Sequence, residues 1–280
     1  MFFEKGSETV LYVRSRYERA EELQKLLVVL KEMDGIGVEL MPLWEQEAFG
    51  NFLEAQKEFL KRIPIAFCGA EGKTEFSESL GSKDDIRSLS YMKKTLEMGK
   101  VFGVRHIVFH YNHCTIVPEE KSWHLENAKR NLQFINYMNR QYRIPILLEN
   151  AGTESQGDGL FTEKEFTEEC KYAKNLVLLD VKNAAENGWN LERLIPALKD
   201  DIAAYRLYKA NEPQREMFDE MDIEKFRSLY QRYTPKADII LECGKTELED
   251  QPKLQKTIAY LQEVLFRESR KNKCLKKQAV

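Results

Sequence analysis

Pro145-Ile146-Leu147-Leu148-Glu149, a helical run from Thr162 to Ala173, and Leu176-Val177-Leu178-Leu179-Asp180 form one strand–helix–strand unit. Both strand runs are apolar until a carboxylate ends them. A run that is apolar at every position is buried on both faces, as a parallel strand under helices must be. Two parallel strands also need a long crossover, and the helical run supplies it.

The same beat continues in both directions. Towards the N-terminus, strands are expected at Val10–Val13, Gly35–Leu40, Ile63–Phe67 and His106–His110, and helices over about 17–33, 45–62, 84–102 and 123–142. In the first helix Leu23, Leu26, Leu27 and Leu30 share one face. Gly103 sits where a helix C-cap would. Towards the C-terminus, strands are expected at Ile202–Leu207 and Asp238–Glu242, and helices over about 190–198, 222–233 and 252–267. Eight such units predict a TIM (β/α)8 barrel. The rival, a doubly wound open sheet, calls for a Gly-rich turn after the first strand, and Val13-Arg14-Ser15-Arg16 is not one. No Pro-, Gly- or Ser-rich linker divides the chain, so residues 1–280 read as one domain. Its basic tail, from about 267, reads as a frayed, solvated end.

The composition bounds the function. The 280 residues carry 43 Lys+Arg against 46 Asp+Glu, a net charge of −3. That balance argues against a dedicated nucleic-acid binder. No apolar run is long enough to span a membrane. Met1-Phe2-Phe3-Glu4-Lys5 lacks the order of a signal peptide. The five cysteines are scattered, without zinc spacing, and read as reduced thiols in the cytoplasm.

Active sites of TIM barrels lie at the C-terminal ends of the strands. The residues there are Glu39, Cys68, His110, Glu149, Asp180, Arg206 with Tyr208, and Glu242. Glu149, Asp180 and Glu242 end three strands, each about one βα unit from the next marked strand end. Converging carboxylates must be compensated by protons, a bound cation, or Lys and Arg side chains. Residues 206 and 208 share strand parity, so two registers stay open: Arg206 in the pocket, or Tyr208. His110 is placed either to touch a substrate or to be packed, His106 to be packed, and His113, Cys114 and His124 to lie on a loop or helix. Trp44, Phe67, Tyr111, Trp189 and Tyr208 are the aromatics near the strand ends, available to wall a small-molecule ring or to pack in the core. Cys243 reads as a small core residue.

On these residues the chain resembles the xylose isomerase-like TIM barrels, a superfamily of sugar isomerases and epimerases that also holds endonuclease IV-type repair enzymes. The likeness runs through Gly37-Val38-Glu39-Leu40, Leu96 to Gly103, His106 to His110, Ile146 to Asn150, Leu179 to Ala184 with Gly188, and Ile240-Leu241-Glu242. The resemblance implies one divalent metal (Mn, Mg or Zn) held by Glu149, Asp180 and Glu242 with a histidine. It also implies acid/base catalysis by Glu149 and Glu242. Here Arg206 stands where that histidine is expected, Asn183 replaces a second, and Phe67-Cys68-Gly69 a third. Glu39, His110, Lys182, Asn183, Trp189, Arg206 and Tyr208 are the expected substrate contacts. Arg206, helped by Lys182 or Lys209, would then take the metal's place. The resemblance implies a small-molecule partner, a sugar, polyol or sugar phosphate, with no nucleic acid and no membrane. An isomerase or epimerase is the first reading and a non-catalytic, metal-free binding barrel the second. Endonuclease IV-like repair is the third and weakest, because most of its histidines are missing.

Overall fold

The computed structural model describes residues 9–15, 20–69, 74–208, 220–243 and 250–277. Eight parallel strands close into a barrel in sequence order, with β8 returning to β1. The elements are β1 (Leu11–Ser15), α1 (Ala20–Lys31), β2 (Ile36–Leu40), α2 (Glu47–Ala55), α3 (Lys57–Leu60), β3 (Ile65–Phe67), α4 (Lys83–Phe102) and β4 (Ile107–Phe109). There follow α5 (Lys121–Met138), β5 (Ile146–Glu149), α6 (Glu163–Ala173), β6 (Leu176–Asp180), α7 (Val181–Glu186), α8 (Leu191–Ala197), β7 (Ile202–Tyr208), α9 (Glu220–Tyr233), β8 (Asp238–Cys243) and α10 (Gln251–Lys277). Among the described residues no helix is long and apolar enough to cross a membrane.

The helices start and stop where local chemistry directs. Ser82 accepts the Asp85 amide hydrogen at 3.1 Å to open α4, and two aspartates complement the helix dipole in its first turn. Gly103, at φ 66°, closes α4 in the left-handed conformation. Thr162 and Glu165 form a capping box at α6. Leu23, Leu26, Leu27 and Leu30 are all buried, so the expected face of α1 is the one against the barrel.

Two expected segments differ from the structure, and one helix is additional. The run 45–62 is two helices, because Gln56 at φ −100°, ψ 4° leaves the helical region between α2 and α3. A short helix, α7, follows β6 directly, because the Asp180 side chain that ends the strand also caps the helix, accepting Asn183 N–H at 2.8 Å. The backbone of the expected frayed tail continues α10 to Lys277. The basic side chains beyond residue 266, like Lys209, lie outside the described residues.

Strand alternation divides the layers. Tyr205 faces out, with its ring 5.1 Å from Phe226 on α9, while Arg206 faces in. The lower interior holds Tyr12, whose ring meets the edge of His106 at 5.4 Å. Burial, with Arg206 and Arg105 nearby, pushes the His106 imidazole down to about 3, so it packs as a neutral ring. Gly37 makes room for Tyr12: a Cβ there would stand 2.6 Å from the Tyr12 ring and 2.9 Å from the Pro64 carbonyl oxygen. Gly37→Ala is therefore expected to destabilise the barrel by about 1–3 kcal/mol through overpacking. Urea unfolding of the variant against wild type measures the loss.

Candidate active site at the barrel mouth

Going round the barrel from β6 to β2, consecutive strands present Asp180, Arg206, Glu242, Arg14 and Glu39. The signs alternate. Asp180 is register partner to Arg206, and Arg14 is register partner to both Glu242 and Glu39. Opposite charges on adjacent strands are neighbours within side-chain reach. Arg14, Glu39, His110, Glu149, Asp180, Arg206 and Glu242 are each no more than 3% exposed.

Arg206 is the hub. Its Nη1 donates to Glu149 Oε1 at 2.7 Å, and its Nη2 donates to Glu39 at 2.9 and 3.2 Å. Its Nε lies 3.8 Å from Glu242 Oε2 and has no hydrogen-bond acceptor. Arg14 Nη1 donates to Glu242 Oε2 at 3.2 Å, and its Nε stands 3.5 Å from Glu39. Two planar guanidiniums thus bridge three carboxylates, an arrangement that the forked donor geometry of arginine suits. The other Glu149 oxygen shares a short hydrogen bond with His110 Nε2, while His110 Nδ1 is buried with no hydrogen-bond partner.

Asp180 is held differently. Tyr208 Oη donates to Oδ2 at 2.8 Å, and the Asn183 amide donates to Oδ1. Asn150 braces the backbone, accepting Asp180 N–H at 2.6 Å and donating to its carbonyl at 2.9 Å. Asn183 in turn donates to the Asn150 carbonyl at 3.2 Å.

These surroundings separate the acids. Burial and the nearby charge of Glu149 push the Asp180 carboxyl up to about 7, against the pull of Arg206 and its two hydrogen bonds. Burial works on Glu149 too, but Arg206 and His110 outweigh it and hold Glu149 well below the usual carboxylate range. Burial moves Glu39 upward, opposed by Arg206 and Arg14.

Arg206 and Tyr208 both point inward, so the two registers that strand parity left open are one register with both side chains in the barrel. Lys182, on α7, lies 3.7 Å from Glu186 and 5.0 Å from the centre of the Tyr208 ring. Trp189 does not join the cluster. Its ring packs at 5.6 Å on Phe166 in the aromatic run Tyr111–Phe161–Phe166, within the helix layer, because Tyr111 has the outward parity of β4. Arg14 was missed. The signal was available: it is the inward-parity residue ending the first strand, opposite two carboxylates.

The donor set does not fit a divalent metal at the point where the acids converge. Arg206 has no lone pair to give, and its N–H groups already occupy Glu149 and Glu39. Asp180 has both oxygens engaged by Tyr208 and Asn183.

Removing Arg206 would leave Glu39 and Glu149 short of a partner in a buried site. Arg206→Ala is expected to cost about 3–5 kcal/mol, measured by denaturant unfolding. Asp180 provides a pH test. Its native pKa, about 7, lies above its ordinary 3.8, so the native chain holds the proton more tightly. Its stabilising contribution is full below about pH 4 and is lost as pH rises through about 7. Asp180→Asn, which can still cap α7, should flatten that part of the stability–pH profile.

No family model and no curated protein matches the sequence. Solved structures do match the fold. L-ribulose 3-epimerase superposes with a TM-score of 0.73 at 11% identity, over 95% of this chain and 97% of that one. D-psicose 3-epimerase, in the presence of D-fructose, gives 0.70 at 12% identity over 92% and 99%. The IolI protein, with a bound zinc atom, gives 0.68 at 16% identity over 92% and 99%. The likeness is one of fold: the chain has the closed (β/α)8 barrel that these epimerases and the IolI protein share.

Proposed function

We propose that the chain is a metal-independent isomerase- or epimerase-like enzyme acting on a small sugar, polyol or sugar phosphate at the C-terminal mouth of the barrel. The observation that carries this reading is the Arg206 guanidinium between Glu149 and Glu39, a fixed cation where the strand-end carboxylates converge.

Isomerisation and epimerisation next to a carbonyl need a base for a carbon-bound proton, a group to return it, and positive charge for the developing oxyanion. Arg206 supplies the charge, and its Nε–H is the donor left for a substrate oxygen. Glu149 and Glu242, on β5 and β8, are the acid/base pair of this reading. A carboxylate held as low as Glu149 is a weak base, so its proton traffic runs through His110. Glu149 orients that ring, and Nδ1 is left open. Asp180, poised near neutral pH beside Tyr208, sets the pH profile. Glu39, Lys182 and Tyr208 complete the polar lining, and Asn183 holds Asp180 in place.

A second reading, binding without catalysis, is favoured by one observation. Glu39, Glu149 and Glu242 are each already engaged by a guanidinium.

A solvent-exchange screen tests both. Wild-type protein in D2O, with ketoses, aldoses and their phosphates, is expected to exchange a substrate C–H proton equally well with chelator or with added Mn²⁺ or Mg²⁺. Glu149→Gln and Glu242→Gln should each abolish the exchange. A ligand that raises Tm but never exchanges a proton supports the binding reading instead. Exchange only with added metal would sink the metal-independent one.

A further inference from the structure

A second group of side chains lies outside this cluster, where the loops after β3 and β4 meet α5. Glu78, Cys114 and His124 each bring one donor atom to a common point, and these atoms lie within 4.8 Å of one another. Cys114 Sγ stands 4.0 Å from His124 Nδ1. Sulfur and nitrogen bound to one tetrahedral zinc, at about 2.3 and about 2.0 Å, are about 3.5 Å apart. The pair is therefore within a small adjustment of a shared ion. The ligands come from three separate segments, which is why no local spacing in the sequence displays them.

The surroundings are built. Glu75 ties the two loops together: its Oε2 accepts the His113 and Cys114 amide hydrogens at 2.7 Å each, and its Oε1 accepts Ser77 N–H at 3.0 Å and Ser77 Oγ–H at 2.6 Å. Ser77 lies beside the imidazole, with Oγ 3.0 Å and its carbonyl oxygen 3.2 Å from His124 Nδ1. On the far side of the ring, Nε2 lies 4.0 Å from Glu120. A carboxylate behind the non-ligating nitrogen is the outer-shell partner that metal-bound histidines usually have. Without an ion the Ser77 carbonyl draws the hydrogen to Nδ1; binding an ion would displace that hydrogen and leave the ring protonated on Nε2, on the side of Glu120. His124 is buried and Cys114 half-buried, which shields the ion while leaving a way in.

We propose that Glu78, Cys114 and His124 form a zinc site, with Nδ1, Sγ and one carboxylate oxygen as ligands and a fourth position open to water or the Ser77 carbonyl. One thiolate, one imidazole and one carboxylate is a donor set suited to zinc and poorly suited to Mg²⁺ or Ca²⁺. The ion would pin both loops to α5. It would also fix His113, whose ring lies 4.9 Å from that of His110, so it buttresses the mouth of the barrel without entering the arginine–carboxylate cluster.

The test uses the full chain, stripped with chelator and titrated with Zn²⁺, then with Co²⁺ as a spectroscopic substitute. One ion per chain and a thiolate-to-cobalt charge-transfer band are expected. Cys114→Ser should abolish the band. His124→Gln and Glu78→Gln should each weaken zinc binding beyond the roughly 10–100-fold that loss of an outer-shell partner costs. Glu78 is only partly buried, so its variant keeps the test valid should the His124 variant fail to fold. Asp180→Asn should leave both stoichiometry and band unchanged. No zinc uptake by wild type, or uptake lost in Asp180→Asn but kept in Cys114→Ser, would overturn the proposal.

Discussion

Two buried guanidiniums set the terms at the mouth of this barrel. A carboxylate buried alone loses its proton only at great cost, and three that face one another are worse. Arg206, with His110 and Arg14, makes an ionised Glu149 tolerable in a buried site, and Arg14 pairs with Glu242 beside it. What remains uncompensated falls on Asp180, which is spared by keeping its proton near neutrality and by the Tyr208 and Asn183 hydrogen bonds. Burial pushes Asp180 and Glu39 upward, and the two positive charges oppose it, decisively only at Glu149.

The parallel register does the placing. Because side chains alternate and neighbouring strands run in step, a charged residue at the end of one strand meets its counterpart on the next without any loop having to position it. The rim residues stand on the barrel strands, above a lower interior filled by Tyr12 and His106. In such a scaffold the geometry of a site is specified to a precision that loops seldom offer.

Much of this was legible in the sequence. The eight apolar runs and the amphipathic stretches between them gave the barrel, since strands buried on both faces carry a signal that survives without homologues. Glu149, Asp180 and Glu242 were visible because each ends such a run. Arg14 is harder to read, because it follows an apolar run that shows no alternation and only the closed register sets it opposite Glu39 and Glu242. Strand parity leaves Arg206 and Tyr208 as alternatives; a strand that runs through Tyr208 brings both inside. The break at Gln56 and the helix begun by Asp180 were hidden because caps and kinks depend on one residue's backbone angles, which periodicity does not record. The zinc ligands were hidden for a different reason: residues 78, 114 and 124 meet only once the loops are packed.

The alternating charges also bear on how the barrel closes. Arg14 sits on the first strand and Glu242 on the last, so their contact lies on the seam where the chain's two ends must meet. That contact joins residues 228 positions apart and carries the largest loop-closure entropy of any strand pair in the barrel. Pairing of β8 with β1 brings Glu242 to Arg14, so the seam cannot close without burying that ion pair. Closure of the seam is thus coupled to desolvation of a charge pair, and the two strands are held by attraction as well as by their backbone ladder. In this fold the electrostatics of the rim and the topology of the barrel are one constraint.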